Sequence, residues 1–250
     1  MAHRLPVLLQ ERAIVTKTEA RLTVTIDGTA GSGKSALGSL LAARLDYLFV
    51  DTGAFYRALT LAALRAQVSL EDGPALAALA RTLNIRIEPP TADDGRQYTL
   101  RLGAEDVTWE IRSQAVDAGV SPVAAQPEAR AALLPLQQRL ARQKGVVMAG
   151  RDIGTVVCPE AEVKVFLTAD LETRARRRRQ ELAERGAGIS STEIAENLAA
   201  RDRLDSSRDT APLAQPPDAI VLDTSQLSLE QEAAIVLSKV AAIRGELTAR

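Results

Sequence analysis

One stretch near the start of the chain has residue types and a spacing that suit phosphate binding. It reads Gly28-Thr29-Ala30-Gly31-Ser32-Gly33-Lys34-Ser35 and fits the pattern G-x-x-x-x-G-K-[ST] of a P-loop. The glycines let backbone N–H groups turn inward around phosphate oxygens, and the N-terminus of a following helix adds partial positive charge. Lys34 would reach the β- and γ-phosphates, and the Ser35 hydroxyl would bind Mg²⁺. The stretch therefore predicts a site for ATP with Mg²⁺.

Arginines form three further groups, and a guanidinium suits phosphate because it binds two oxygens at once. Arg57 follows Asp51-Thr52-Gly53, and Arg151 precedes Asp152. The third group is a run in which Arg174, Arg177 and Arg178 share one helix face at i, i+3 and i+4. A surface arginine is the plain alternative for Arg57, and a nucleic-acid patch is the alternative for the run.

Three classes of P-loop protein compete for this sequence. GTPase switches need an Asn-Lys-x-Asp motif and transporter ATPases carry Leu-Ser-Gly-Gly-Gln, and both motifs are absent. Small-molecule kinases need only the P-loop, an acceptor site and arginines that neutralise the transferring charge. The sequence favours a small-molecule kinase.

Composition excludes several other kinds of site. A single cysteine, Cys158, excludes a disulfide framework, and a single histidine, His3, argues against a Ser-His-Asp hydrolase or a His-ligated metal. The net charge of −1 and the lack of interleaved aromatics argue against nucleic-acid binding. No apolar run approaches the roughly 20 residues of a membrane span. We expect a cytoplasmic monomer that binds neither nucleic acid nor membrane.

The elements that must position these residues alternate in type. Residues 21–26 are predicted as a strand, 34–45 as a helix, 48–50 as a strand and 55–67 as a helix. This alternation predicts an α/β fold in which a P-loop parallel sheet is flanked by helices. Residues 145–149, 163–167 and 219–222 are predicted to add strands to the sheet, and Ser228 with Gln231 to cap a last helix.

Two segments depart from this alternation. Residues 84–88 and 98–102 flank a turn cluster and predict a small antiparallel β insertion within about 79–120. The arginine-rich helix predicted for residues 171–185 lies in a segment of about 170–190 that we expect to form a helical lid.

A helix is also predicted for residues 127–143, where Pro135 should kink it or end it early. Residues 1–20 are expected to be a disordered tail before a single kinase domain at 21–250.

Several motifs together resemble the bacterial cytidylate kinases, a family of P-loop nucleoside monophosphate kinases. They are Ile26-Asp27-Gly28 through Ser35, Asp51-Thr52-Gly53-Ala54-Phe55-Tyr56-Arg57, Asp106-Val107-Thr108-Trp109-Glu110-Ile111-Arg112, Gly150-Arg151-Asp152-Ile153-Gly154-Thr155, Lys164-Val165-Phe166-Leu167, and Arg201-Asp202-Arg203-Leu204-Asp205 with Arg208. The resemblance runs from about Leu22 to about Lys239. It implies transfer of the γ-phosphoryl group of ATP to CMP or dCMP, a CMP-binding insertion and a mobile lid.

The resemblance also implies roles for individual residues. Arg57 and Arg151 would hold the CMP phosphate, and Asp152 would face cytosine. The other residues implied at the acceptor are Ser121 and Arg130 near the base, Arg201 and Asp205 at the ribose, Arg208 close to the nucleotide, and Thr52 as a further substrate-binding residue. Arg174, Arg177 and Arg178 would close on ATP and stabilise the charge on the transferring phosphoryl group.

Alternatives remain open from the residues alone. Asp152 follows a strand end, where a helix N-cap is the plain interpretation. Arg201, Asp205 and Arg208 fall at i, i+4 and i+7, which also describes a solvated ladder of ion pairs. For the whole chain, the alternatives are a nucleoside monophosphate kinase with another base preference and an ATP-binding regulatory module without turnover.

Overall fold

The structure is a computed structural model that describes residues 20–184, 191–207 and 210–248. Its centre is a five-stranded parallel sheet with the order β2-β6-β1-β7-β8. These strands are β1 (Thr23–Gly28), β2 (Leu48–Asp51), β6 (Val146–Ala149), β7 (Val163–Thr168) and β8 (Ile220–Asp223). The predicted P-loop parallel sheet is thus confirmed, and β1, which leads into the P-loop, lies at its centre.

Eight α-helices lie in the described residues. They are α1 (Lys34–Leu45), α2 (Gly53–Arg65), α3 (Gly73–Thr82), α4 (Gln114–Ala125), α5 (Pro127–Arg142), α6 (Leu171–Glu184), α7 (Ser191–Ser206) and α8 (Leu229–Thr248). No helix among these described residues is long and apolar enough to cross a membrane.

The sheet is buried on both faces at its central strand β1 and at β6, as expected for parallel strands covered by helices. All six residues of β1 are buried, and β1 pairs in parallel with β6 on one side and β7 on the other. Leu37 and Leu41 of α1 and Phe55 of α2 belong to the same hydrophobic core. This packing fixes the carboxyl ends of β1, β2 and β6 side by side at one edge of the sheet.

The predicted antiparallel insertion is confirmed, although it is richer in helix than expected. β3 (Ile85–Glu88) pairs with β4 (Thr99–Leu102), which pairs with the short β5 (Glu105–Asp106). The sequence reasoning missed α3 and α4, which flank this sheet. Asp72 caps α3, since its side chain accepts a hydrogen bond from Ala75 N at 2.9 Å.

Pro135 does not end α5, which continues to Arg142. The loss of one backbone hydrogen bond is outweighed where a helix buries a face in the core, and here Leu133 and Gln137 on either side of the proline are both buried. The predicted cap of α8 is confirmed, because Ser228 N donates to Gln231 Oε1 at 2.9 Å and Gln231 N donates to Ser228 Oγ at 3.3 Å. The predicted tail, the last residues of the predicted lid and Arg208 lie outside the described residues.

Candidate nucleotide-binding site

A cavity of about 660 Å³ opens at the carboxyl ends of β1, β2 and β6, the edge at which open α/β sheets bind ligands. It brings together most of the side chains that the sequence singled out. Those in its lining are Ala30, Gly31, Gly33, Lys34, Ser35, Thr52, Arg57, Ser121, Arg130, Arg151, Asp152, Arg177, Arg178, Arg201 and Asp205. Gly28, Thr29 and Ser32 lie behind this surface as part of the P-loop, and Arg174 also lies outside the lining.

The P-loop is wound around the ammonium group of Lys34. Gly31 and Gly33 adopt φ values of 75° and 95°, in the left-handed region that glycine tolerates. Lys34 Nζ donates to Gly28 O at 2.9 Å and to Thr29 O at 2.5 Å. The pKa of Lys34 is well below its ordinary value, first because the group is buried and then because the Arg151 guanidinium is close. An anion bound here would relieve both effects.

The segment after β6 carries Arg151 and Asp152 and is tightly held. Gly150 is required, because a Cβ atom there would lie 2.5 Å from Thr52 Oγ1. Asp27 accepts hydrogen bonds from Ile153 N at 2.8 Å and Gly154 N at 2.7 Å. Burial raises the pKa of Asp27 to about 6, although these two bonds oppose the rise. The root of the P-loop thus positions the segment that carries Arg151 and Asp152.

Asp152 does not cap a helix through its side chain. Its carboxylate instead pairs with the Arg130 guanidinium, with Oδ2 2.5 Å from Nη2, and both side chains are buried. Arg130 Cζ also lies 5.4 Å from the centre of the Tyr56 ring, a cation–π contact. Ser121 of α4 lines the same cavity. The arrangement offers one acceptor group and one donor group to a planar ligand.

Two further arginines are held by carboxylates on other elements. Arg57 Nη1 donates to Asp117 Oδ1 at 2.5 Å and to Ile111 O at 3.0 Å. Arg151 Nε donates to Asp205 Oδ2 at 2.7 Å, which joins α7 to the core. Asp205 is therefore part of a buried contact and not of a solvated ladder on α7. The pKa of Arg201 is lowered, first by desolvation in the cleft and then by the charge of Arg151.

The three arginines that were assigned to the predicted lid have separate positions. Arg177 donates to Thr224 Oγ1 at 2.8 Å, and Thr224 Oγ1 donates to Ser32 O of the P-loop at 3.0 Å. Arg177 and Arg178 line the cavity. Arg174 is buried and donates to Ala30 O at 3.1 Å, so it contacts the back of the P-loop.

Sequence reasoning missed several residues of the lining, among them Asp51, Tyr56, Arg96, Gln97 and Arg112. Three of these five lie within motifs that were quoted for the resemblance, which was the available signal. Arg96 and Gln97 follow the turn cluster of the insertion, where neither composition nor spacing marks them. Arg96 is fixed by Asp94 at 2.7 Å and Asp106 at 2.6 Å.

The charges of the site suit a ligand with several phosphates. Lys34, Arg57, Arg151, Arg177 and Arg178 all line the cavity, and preorganised cations stabilise charge that develops during phosphoryl transfer. No group of three or more His, Cys, Asp or Glu side chains among the described residues could hold a metal by itself. Mg²⁺ usually takes few protein ligands and several from phosphates and water, so the Ser35 hydroxyl in the lining fits that ion.

The chain is similar in sequence to one protein family and to named proteins over most of its length. Residues 24–242 match the family model described as cytidylate kinase. A protein from Herpetosiphon aurantiacus named cytidylate kinase is 47% identical over 209 residues, which are 84% of this chain and 90% of that protein. One from Chloroflexus aggregans with the same name is 48% identical over 218 residues, 87% of this chain and 93% of the other. A gluconokinase structure from Sinorhizobium meliloti is 15% identical, covers 91% of this chain and 96% of its own, and has a TM-score of 0.45.

Proposed function

This chain belongs to the cytidylate kinase family, and we propose that it transfers the γ-phosphoryl group of Mg-ATP to CMP or dCMP in the cavity described above. The products are ADP and CDP or dCDP. The observation that carries the proposal is the shared cavity. The P-loop with Lys34 and the buried Arg130–Asp152 pair line one cavity, and the same lining includes the cationic side chains of Arg57, Arg151 and Arg177.

The donor half is the P-loop. Its backbone N–H groups and Lys34 hold the phosphates, and Ser35 would hold Mg²⁺ together with phosphate oxygens and water. When bound, Mg²⁺ neutralises charge on the β- and γ-phosphates. Lys34 already has its ammonium group in the loop, held by Gly28 O and Thr29 O. Binding of phosphate exchanges these carbonyl contacts for contacts with an anion.

The acceptor half holds the phosphate of CMP beside the donor. Arg57 and Arg151 would bind its oxygens, and Asp205 with Arg201 would contact the ribose. A CMP phosphate oxygen attacks the γ-phosphorus, and the bond from that phosphorus to the β,γ-bridging oxygen breaks, with ADP as leaving group. Arg177 and Arg178 would stabilise the charge on the transferring group. No protein nucleophile takes part, so catalysis consists of positioning and charge stabilisation.

Base choice would follow from Asp152 and Arg130. Cytosine has an amino donor at N4 and acceptors at N3 and O2. The Asp152 carboxylate accepts from N4, and the Arg130 guanidinium, 2.5 Å away, donates to the acceptors. Uracil would place a carbonyl against the carboxylate. We therefore favour CMP and dCMP over UMP.

A coupled assay of ADP release with CMP, dCMP, UMP and AMP as acceptors tests the proposal. We expect turnover with CMP and dCMP that depends on Mg²⁺ and ATP. Faster turnover with UMP or AMP would favour a kinase with another base preference. ATP binding without turnover of any acceptor would favour a regulatory module.

A further inference from the structure

Helices α6 and α7 each hydrogen-bond one backbone group of the same P-loop residue. Ala30 N donates to Asp202 Oδ1 at 3.2 Å, and Ala30 O accepts from Arg174 Nη1 at 3.1 Å. Asp202 Oδ2 and Arg174 Nη1 are themselves 2.5 Å apart. The three groups form a closed ring, which we call the Ala30 clamp. It consists of Ala30, Arg174 of α6 and Asp202 of α7.

The clamp is buried and supported by packing. Only 8% of the Arg174 side chain and 19% of the Asp202 side chain are exposed. The Ala30 methyl group packs with Ile194 and Leu198 of α7 in a small hydrophobic cluster separate from the main core. Because these contacts connect the P-loop to α6 and α7, they depend on the position of both helices relative to the loop.

The same helix α7 also carries the acceptor contacts. Asp205 lies one turn beyond Asp202, so both carboxylates share one face of α7. Asp202 binds the donor loop, whereas Asp205 binds Arg151 of the acceptor segment at 2.7 Å. A change in the position of α7 must therefore alter contacts in both the donor half and the acceptor half of the cavity.

We propose that Arg174 and Asp202 are positioning residues that couple the two nucleotide sites. The inference rests on the proposed function. ATP phosphates order the P-loop in the conformation that the clamp grips, and the clamp then holds α7 where Asp205 and Arg201 receive CMP. By linkage, CMP must favour ATP binding by the same factor. Arg174, which the sequence placed among the residues that close on the transferring phosphoryl group, acts in this scheme through the P-loop and not on the phosphate.

The test measures coupling directly. Calorimetry gives the Kd of CMP alone and in the presence of Mg²⁺ with a non-hydrolysable ATP analogue, and their ratio is the coupling factor. For the wild type we expect a factor of about 10, within the usual range for coupled sites. For Asp202→Asn we expect a factor below about 3, with the Kd of CMP alone changed by less than about threefold.

Two further variants make the result specific. Arg174→Lys keeps the charge but cannot reproduce the forked guanidinium, so it should also lose coupling, and the double variant should lose little more. Arg174→Lys also tests the coupling if Asp202→Asn does not fold. Glu196→Gln removes a carboxylate from the exposed face of α7 and should keep the wild-type factor.

The outcomes separate the clamp from the proposed function. If the wild type does not bind or phosphorylate CMP, the proposed function fails. If the wild type turns over CMP but shows no coupling, or if both clamp variants keep its full factor, the clamp inference is overturned. A purely structural defect would lower the active fraction and leave the coupling factor of the folded molecules unchanged, which also contradicts the inference.

Discussion

The guanidinium of Arg130 and the carboxylate of Asp152 form a buried ion pair in the lining of the cavity, with Nη2 2.5 Å from Oδ2. Arg130 comes from α5 and Asp152 from the segment after β6, so the pair joins two separate elements. Burial of two charges is favourable only with good geometry and further hydrogen bonds. A ligand that offers one donor and one acceptor could use both charged groups without breaking the pair.

The first prediction concerns base choice by Asp152. The wild type should prefer CMP over UMP by at least about tenfold, the value expected if a water separates the groups, and by up to about 10⁴ without one. Asp152→Asn should narrow this preference, because an amide can rotate to donate to O4 of uracil. The narrowing should come mostly from lost CMP activity, since Arg130 loses its charged partner.

The ratio of kcat/KM for CMP to that for UMP checks this prediction in both proteins. An unchanged ratio in folded Asp152→Asn would show that another residue distinguishes the bases, and attention would pass to Ser121 and Arg130. Asp223→Asn, an exposed change at the end of β8, is the matched control and should keep the wild-type ratio.

The second prediction concerns Lys34. Lys34→Met should lower kcat by at least about 10²-fold, the cost of one preorganised group that stabilises charge. The fold should survive, because methionine fills similar space. The variant also no longer has to bury an ammonium group, the burial that lowers the pKa of Lys34. Steady-state kinetics together with circular dichroism measure both effects.

Lys239→Met provides the control, since Lys239 is exposed on α8. Near-normal turnover of a folded Lys34→Met protein would contradict the assignment of the P-loop as the donor site.

The parts of the fold that were predicted from sequence are those with a strong local signal. The P-loop, α1 and the alternating core strands follow from glycine spacing and apolar periodicity, and Lys34–Leu45 agrees in both of its bounds. The helices α3 and α4 were missed because they flank a segment whose turn cluster and β-runs dominate its composition. Pro135 was expected to kink α5 or end it early, and it does not end the helix, which runs to Arg142 with Leu133 and Gln137 buried on the core side.

The sequence predicted which residues belong to the site, but it did not predict which of them pair with each other. Nothing in the spacing of Asp205 indicates that its partner is Arg151, 54 positions away. Nor does the position of Arg174 in an arginine run distinguish a group that faces the ligand from one buried against Ala30 O. Such long-range pairs depend on how helices dock on the sheet, which local sequence does not specify.

The third prediction concerns Asp205. Asp205→Ala should raise the KM for CMP by about tenfold or more and change the KM for ATP, extrapolated to zero CMP, by less than about threefold, because the carboxylate orders Arg151 in the acceptor half. A second reason is that the loss leaves Arg151 and Arg201 close together without that neutralising charge. Initial-rate kinetics with each substrate varied in turn give both constants.

Glu196→Ala on the exposed face of α7 is the control for helix propensity and charge. Equal increases in the two KM values would indicate general damage to the lid, and an unchanged KM for CMP would return Asp205 to a purely structural role.

The fourth prediction concerns the pH dependence of stability that Asp27 imposes. Burial raises its pKa to about 6 in the folded protein, against 3.8 ordinarily, despite hydrogen bonds from Gly154 N and Ile153 N. The folded state therefore binds the proton more tightly than the unfolded state, so this group stabilises the fold below pH 3.8 and that stabilisation is lost as the pH rises through about 6. A difference of about two pKa units corresponds to about 3 kcal/mol.

Asp27→Asn removes this titration and separates stability from function. Between pH 4 and pH 7, the free energy of unfolding of the wild type, from urea titrations, should fall relative to that of Asp27→Asn by about 2 kcal/mol, most of the full difference, because pH 4 is already above the unfolded pKa. At pH 7 the variant should nevertheless lose about tenfold in kcat/KM for CMP, because an amide nitrogen would face one of the N–H groups of Ile153 and Gly154 and shift Arg151 and Asp152. Asp93→Asn, at an exposed position in the insertion, should show neither effect.

Two outcomes would contradict this prediction. If the difference in unfolding free energy between the two proteins does not vary with pH, Asp27 titrates in the folded protein as it does in the unfolded chain. If Asp27→Asn keeps full CMP activity, the two hydrogen bonds of Asp27 do not position the acceptor segment.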